Sequence, residues 1–291
     1  MTKLKTAQKI KIRIGKISYL NCLPYFHNFS ASDDFDAEYL ETYPSKLNLA
    51  LRQGKIDLGP ISSLEYLNHQ NDYVLLPSLA IGSRDFSGSV TLFSHKKIED
   101  LNGETIALSR QSLSSATLLR ILLKFKYKYE NKFVSTSHEP DELINQYPAF
   151  LLIGDQALYF QSKKFVYKYD LSELWWNWTR KPFCFAVWAV RREFALKNHD
   201  AVLRFASAMK EHLGKNLEDI ESLILNGLQM DFLNVRFSKV FGYLFNLVYE
   251  LDDSMCEGLE LFFRLAKRLG VSPKPKRIEF LGAEEPAEAA L

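Results

Sequence analysis

The sequence predicts an α/β protein of two lobes with a ligand cleft between them. Three observations lead there. The chain of 291 residues reaches the size at which single cores stop growing, about 250–300 residues. Over the first two-thirds, short apolar strands alternate with short helices, and from about Arg192 the pattern is helical only. Five polar-rich segments also fall at the ends of expected strands, where α/β sheets hold their ligands.

In order along the chain, Lys11–Ile17 places Ile12, Ile14 and, past Gly15, Ile17 in strand alternation. Leu47, Leu49, Ala50 and Leu51 form a short helix that Gly54 can end. Ile56–Ile61 reads as a buried strand, followed by a helix over Ser63–Asn68. Val74–Leu76 and Val90–Ser94 are further strands. Then come the strand Thr105–Leu108, the helix Ser114–Phe125, the strand Ala149–Ile153, the helix Asp155–Phe160 and the strand Phe165–Tyr169. Strands separated in this way imply mostly parallel sheets with helices on their faces.

The helical third contains Asp200–Leu213, ended by Gly214, and Ser254–Leu269, ended by Gly270. These helices are expected to pack back on the first lobe. Lobe one is then residues 1–94 and 186–291, and lobe two is residues 95–185. Extended hinge strands near Leu92–His95 and Phe183–Val187 make the crossings. No internal repeat is visible, and the polar tail Gly282–Leu291 reads as disordered.

Composition removes several function classes. A net charge of +2 leaves no broad electrostatic footprint for nucleic acid. The basic and aromatic stretch Lys124–Tyr129 reads as the solvated end of a helix. Cys22, Cys184 and Cys256 lie far apart with no CxxC pair, which argues against a disulfide framework or a zinc site and suits a reducing cytosol. No apolar segment follows the basic stretch Met1–Arg13, and no run of about 18 apolar residues occurs. The expectation is a cytoplasmic protein without a membrane partner. No GxGxxG, P-loop, HExxH or GxSxG motif is present, and the six histidines lack metal-ligand spacing. Neither a metal nor a cofactor is expected.

The chemistry therefore rests on the five segments. In Ile17–Pro24, Asn21 either caps the following turn or meets a ligand. In Asp57–Tyr66, Ser62 and Glu65 have the spacing of a capping box, so Glu65 reads as structural, while Ser62 and Ser63 stand at a helix N-terminus suited to anions. In Ser87–Ser94, Gly88 permits close backbone approach and Ser89 can present its hydroxyl. Ser112, Ser114 and Ser115 open the helix of lobe two as a second anion cradle or as ordinary caps. In Leu151–Leu158, Asp155 beside Gly154 is either a helix N-cap or a ligand contact. Two anion cradles on opposing lobes imply a ligand with two anionic groups.

Taken together, YLNCLP (Tyr19–Pro24), GPISSLEY (Gly59–Tyr66), GSVTLFS (Gly88–Ser94), LLIGDQAL (Leu151–Leu158) and Trp178–Trp188 resemble the chorismate dehydratases of the futalosine route to menaquinone. The resemblance implies a periplasmic-binding-protein-like (type II) fold that has become an enzyme. It implies conversion of chorismate into 3-[(1-carboxyvinyl)oxy]benzoate and water, with no cofactor because the ring becomes aromatic. It places the catalytic roles on Asn21 and Ser89. Ser62, Ser63, Gly88, Ser112, Ser114, Ser115, Gly154 and Asp155 are the substrate-binding candidates. A neutral amide is no base, so Asn21 orients the substrate or the leaving hydroxyl. The base implied by the resemblance is the substrate's own enolpyruvyl carboxylate.

One departure stands out. Where the family pattern resembles WTGLPF, this chain has Arg180 and Lys181 before Pro182. Trp175, Trp176 and Trp178 are expected to pack the hinge. Two other readings remain: a non-catalytic solute-binding protein for a small dicarboxylate or aromatic acid, and the sister enzyme acting on dehypoxanthine futalosine. The YLNCLP motif favours the dehydratase, and the oligomeric state is left open.

Overall fold

The computed structural model describes residues 9–31, 35–136, 140–143, 145–228 and 230–283. His138 and residues 284–291 of the polar tail lie outside the described residues. The chain begins with β1 (Ile10–Ile17), α1 (Leu23–Phe26), β2 (Phe35–Thr42), α2 (Pro44–Arg52), β3 (Leu58–Ser62), α3 (Ser63–Asn68) and β4 (Tyr73–Ser83). It continues through β5 (Val90–Ser94), β6 (Thr105–Ser109), α4 (Leu113–Ile121), β7 (Lys132–Thr136), α5 (Pro140–Leu143), β8 (Ala149–Ile153), α6 (Gly154–Tyr159), β9 (Tyr167–Asp170) and α7 (Leu171–Thr179). The last third holds β10 (Phe183–Arg191), α8 (Arg192–Lys197), α9 (His199–Glu218), α10 (Ile220–Gly227), α11 (Met230–Asn246), β11 (Leu247–Val248) and α12 (Asp253–Arg268).

Two sheets organise these elements. The first has the order β11-β4-β10-β3-β1-β2 and the second the order β7-β6-β8-β5-β9. Apart from the short β11, both share one plan. Three parallel-paired strands are joined by a fourth, antiparallel strand that arrives from the other sheet's part of the chain. The sheets are therefore mixed, not mostly parallel, because β5 and β10 each enter from a crossing and not from a right-handed βαβ unit.

Alternation along the strands divides the second sheet's packing. Ile106, Leu108, Leu151 and Ile153 belong to the main core that continues under the first sheet. Their neighbours Ala107, Phe150 and Leu152 join Phe93 and Phe165 in a smaller cluster on the opposite face. Helices α9 and α12 pack on β4 and β10, so the helical third does return to the first sheet.

The crossings differ from the sequence expectation. Val90–Ser94 pairs on both edges within the second sheet, and the whole of Phe183–Arg191 pairs in the first. The chain thus crosses at residues 84–89 and returns at residues 180–182, a few residues earlier than the expected hinge strands. Asp170 ties the first crossing to the start of α7. Its buried carboxylate accepts from Ser87 Oγ and Gly88 N of the first crossing, both at 2.8 Å, and from Ser172 N at 2.8 Å as the N-cap of α7, the helix whose end leads into the second crossing.

Trp175 is fully buried and donates from Nε1 to the Pro182 carbonyl at 3.2 Å. It packs edge-on against Phe183. The hinge-packing role expected for this tryptophan matches that geometry. Arg180 ends α7 in the left-handed region, with φ 56° and ψ 26°. That is the position where the resembling pattern carries glycine, and a side chain there costs about 1–2 kcal/mol. Arg180→Gly is expected to stabilise the protein by about 1 kcal/mol, read as a higher urea midpoint at unchanged slope. A lower midpoint would show that the Arg180 side chain offsets its own backbone cost.

Gly54 (φ 66°) and Gly270 (φ 81°) end α2 and α12 as the sequence predicts. Gly214 does not end its helix, since α9 runs on to Glu218 with open space around that glycine. The strand read as Val74–Leu76 extends to Ser83. Pro77 and Ser78 (φ 61°) interrupt its alternation inside an irregular stretch of the β4–β10 ladder.

Candidate active site

The two sheets face each other across a cavity of about 50 Å3. From the first sheet's side come Ser62 at the end of β3, Phe185 and Ala186 of β10, and the short 3-10 turn Leu20–Cys22, which carries Asn21. From the second come Ser89 and Val90 at the start of β5, Ile153 and Gly154 at the end of β8, and Ser112 and Ser115 around the start of α4. These are strand ends and a helix start, the places where backbone hydrogen bonding leaves side chains free to serve a ligand. Among the described residues no lining side chain is formally charged: the polar ones are Tyr19, Asn21, Ser62, Ser89, Ser112 and Ser115. No histidine among the described residues lines the cavity.

Asn21 carries the strongest signal. Its Oδ1 is buried and accepts no hydrogen bond, a state that costs about 1–3 kcal/mol. A donor group on a ligand would recover that cost. The capping reading fails, because Tyr19 and Cys22 hold the N-cap positions of the turn and of α1, and Asn21 Oδ1 accepts from no backbone N–H.

Ser62 caps α3 as expected, accepting from Glu65 N at 3.3 Å. The capping box is not closed, because the Ser62 N–H donates to Asn48 Oδ1 at 3.1 Å and Glu65 turns instead to Arg52 at 3.2 and 3.3 Å. Ser112 caps α4 by accepting from Ser115 N at 3.2 Å, and the two hydroxyls lie 2.8 Å apart.

Four expected ligand residues have other work. Ser63 Oγ donates to the carbonyl of Cys184 and is fully buried away from the cavity. Ser114 Oγ accepts from Leu64 N at 3.0 Å, joining α4 to α3 across the lobes. Gly88 (φ 69°) gives its N–H to Asp170 and shapes the turn that presents Ser89. Asp155 is neither N-cap nor cavity residue, since Ile153 occupies the cap position of α6. Its Oδ1 accepts from Leu20 N at 3.2 Å, clamping the turn that bears Asn21.

Burial pushes the Asp155 carboxyl up to about 6 from an ordinary 3.8, against the lowering effect of the Leu20 N–H. A raised folded pKa favours the protonated form, so this group's effect is absent below 3.8 and becomes a cost as pH rises to about 6. Two units correspond to at most about 3 kcal/mol. Asp155→Asn keeps an acceptor without the charge. Its unfolding free energy is expected to match wild type near pH 3.8 and to exceed it by about 2 kcal/mol at pH 7.5. A difference independent of pH would rule out the buried carboxylate as its source.

Several residues escaped the sequence reading. Tyr19 lines the cavity, and its hydroxyl donates to Gln111 Oε1 across the cleft. Tyr243 of α11 is buried beside Ser89, and burial keeps its phenol protonated well above the ordinary range. Its hydroxyl has no partner in hydrogen-bond geometry. Asp170 positions Ser87 and Gly88 ahead of Ser89. Asp170 left a local signal in the Asp170-Leu-Ser-Glu173 start of a helix, and Tyr19 stands in the YLNCLP motif, whose candidate was Asn21; Tyr243 left none.

The chain matches the menaquinone-biosynthesis family over residues 12–268. It is 31% identical over 281 residues to a chorismate dehydratase of Thermus thermophilus, covering 90% of this chain and 96% of the relative. Among solved structures, a protein of Archaeoglobus fulgidus superposes with a TM-score of 0.70 at 18% identity, over 90% of this chain and 98% of that one. A Candida albicans protein described as having the generic periplasmic binding protein fold superposes with a TM-score of 0.65 at 12% identity, over 96% of this chain and 100% of that one. The two sheets with exchanged fourth strands are thus a two-lobed periplasmic-binding-protein-like fold, and the chain belongs to the menaquinone-biosynthesis family that its five motifs resemble.

Proposed function

We propose that the protein is a cytoplasmic carbon–oxygen lyase that removes water from chorismate, giving 3-[(1-carboxyvinyl)oxy]benzoate. The observation that carries the reading is a cavity lined, among the described residues, only by neutral side chains, with hydroxyls from both lobes and the unpartnered Asn21 Oδ1 at its wall. Such a site binds carboxylates by hydrogen bonds without offering a side-chain base of its own. The substrate's enolpyruvyl carboxylate then takes the C3 proton. The electron pair of that C–H bond becomes the C3–C4 double bond, and the C4 hydroxide leaves as water with a proton. Gain of aromaticity drives the elimination, so no cofactor has to accept electrons.

Ser62, Ser112 and Ser115 hold the carboxylates in this reading. Asn21 accepts from the C4 hydroxyl and fixes its direction, and Ser89 donates to it as it departs. A cavity of about 50 Å3 has room for only a few waters. The lobes therefore part at the two crossings to admit the ring, breaking the Tyr19–Gln111, Leu20–Asp155 and Leu64–Ser114 contacts.

The test is incubation with chorismate, following loss of the cyclic diene and appearance of the substituted benzoate by chromatography. Formation of the benzoate supports the dehydratase. Tight binding without turnover would point to a solute-binding protein, and neither binding nor turnover to the sister enzyme's futalosine-derived substrate.

A further inference from the structure

Outside the neutral cavity runs a second space with the opposite electrostatic character. A groove of about 450 Å3 lies between α2 and α4, with walls from both lobes. Ser112 lines both the groove and the cavity, so the two spaces adjoin. Arg52, Arg110 and Arg120 line the groove, and among the described residues Glu65 is its one acidic residue.

The three arginines are not equivalent. Arg52 is taken up by Glu65, whose buried carboxylate it neutralises at 3.2 and 3.3 Å. Among the described residues the Arg110 side chain makes a single hydrogen bond, from Nε to the Ser135 carbonyl at 3.3 Å. Arg120 has its guanidinium over the Phe133 ring at 5.1 Å, while its Nε is buried with no acceptor. Among the described residues neither Arg110 nor Arg120 pairs with a carboxylate. Arg110 is exposed, so its guanidinium stays hydrated and available to an anion, whereas the buried unpaired Nε–H of Arg120 carries a desolvation cost.

We infer that this groove is a carboxylate-capture site in which Arg110 and Arg120 receive an anionic ligand before it passes Ser112 into the cavity. The fork of a guanidinium matches a carboxylate bidentately. A site with net positive charge beside a low-dielectric wall raises the encounter rate of a dianion and loses that advantage in salt. The neutral hydroxyls inside then hold the ligand without strong ion pairs, so the charges that attract the substrate are separate from the groups that surround the reacting bond. Capture of chorismate rests on the dehydratase reading; capture of a carboxylate as such does not.

The test is kcat/KM for chorismate in wild type and in the Arg110→Gln/Arg120→Gln double variant, with ionic strength raised from about 0.01 M to about 0.15 M. The double variant is expected to lose about tenfold in kcat/KM at low salt, with a smaller loss in kcat and a flatter salt dependence. The Arg110→Lys/Arg120→Lys pair is expected to restore the salt dependence, which a folding defect would not. A double variant with wild-type kcat/KM and wild-type salt dependence overturns the capture site. If wild type does not turn chorismate over, it is the dehydratase reading that fails. The groove is then tested by calorimetric titration with malonate: weaker binding in the double variant supports it, and equal binding overturns it.

Discussion

Asn21→Ala is expected to lower kcat for chorismate dehydration about a hundredfold while changing substrate affinity only a few-fold. The side chain sits on a 3-10 turn with little freedom, because Asp155 clamps Leu20 N and the cavity wall surrounds the amide. Its unpartnered Oδ1 already bears a desolvation cost in the unliganded protein, so a hydrogen bond to the leaving hydroxyl is made at little further cost. Alanine also removes the unsatisfied oxygen, and the variant should fold at least as stably as wild type. Loss of activity with retained or improved stability would separate a role in the reaction from a structural one. A kcat within twofold of wild type would remove Asn21 from the chemistry and leave the serines to orient the substrate.

Gly154→Ala is expected to cost about 2–5 kcal/mol of stability, and activity with it. Two effects combine. Gly154 has φ 58°, where a Cβ costs about 1–2 kcal/mol. The added carbon would also stand 2.8 Å from the Tyr19 ring, closer than packed carbons come, and overpacking of this kind costs about 1–3 kcal/mol. Relief by moving Tyr19 would sacrifice its bond to Gln111 and open the cavity wall. Denaturant unfolding gives the first effect, and chorismate binding gives the second. A loss below about 0.5 kcal/mol would mean that the turn before α6 rearranges freely, and that Tyr19 is not held in place by it.

The strands that were legible in sequence are those whose side chains meet the core on at least one face. β3, β5 and β8 are buried at every position, and their apolar runs announce them. Three were missed, the two-residue β11 and the strands β2 and β7, and the latter two are sheet edges with mostly exposed residues such as Asp36, Glu38 and Lys132. Their place comes from backbone pairing with β1 and β6, which needs no hydrophobic pattern. The shared strand order of the two sheets left no repeat in the sequence, because topology constrains connections and not residue identities.

Within the candidate site, the motifs located the right loops but not always the right side chain. Ser62 faces the cavity and Ser63, one residue on, faces the Cys184 carbonyl. Ser112 and Ser115 line the cavity while Ser114 turns to Leu64 in the other lobe. A polar residue at a strand end or helix start is visible in the chain itself, as is the set of motifs that marks the family. Its direction is set by backbone geometry and by whichever donor or acceptor the other lobe brings within about 3 Å. The sequence alone determined the two-lobed α/β class, the family motifs and the candidacy of Asn21 and Ser89. Tertiary structure alone decided which sheet β5 and β10 join, that Asp155 clamps a turn, and that the cavity is neutral while its mouth is cationic. Those features depend on contacts between residues far apart in the chain, and local periodicity carries no record of them.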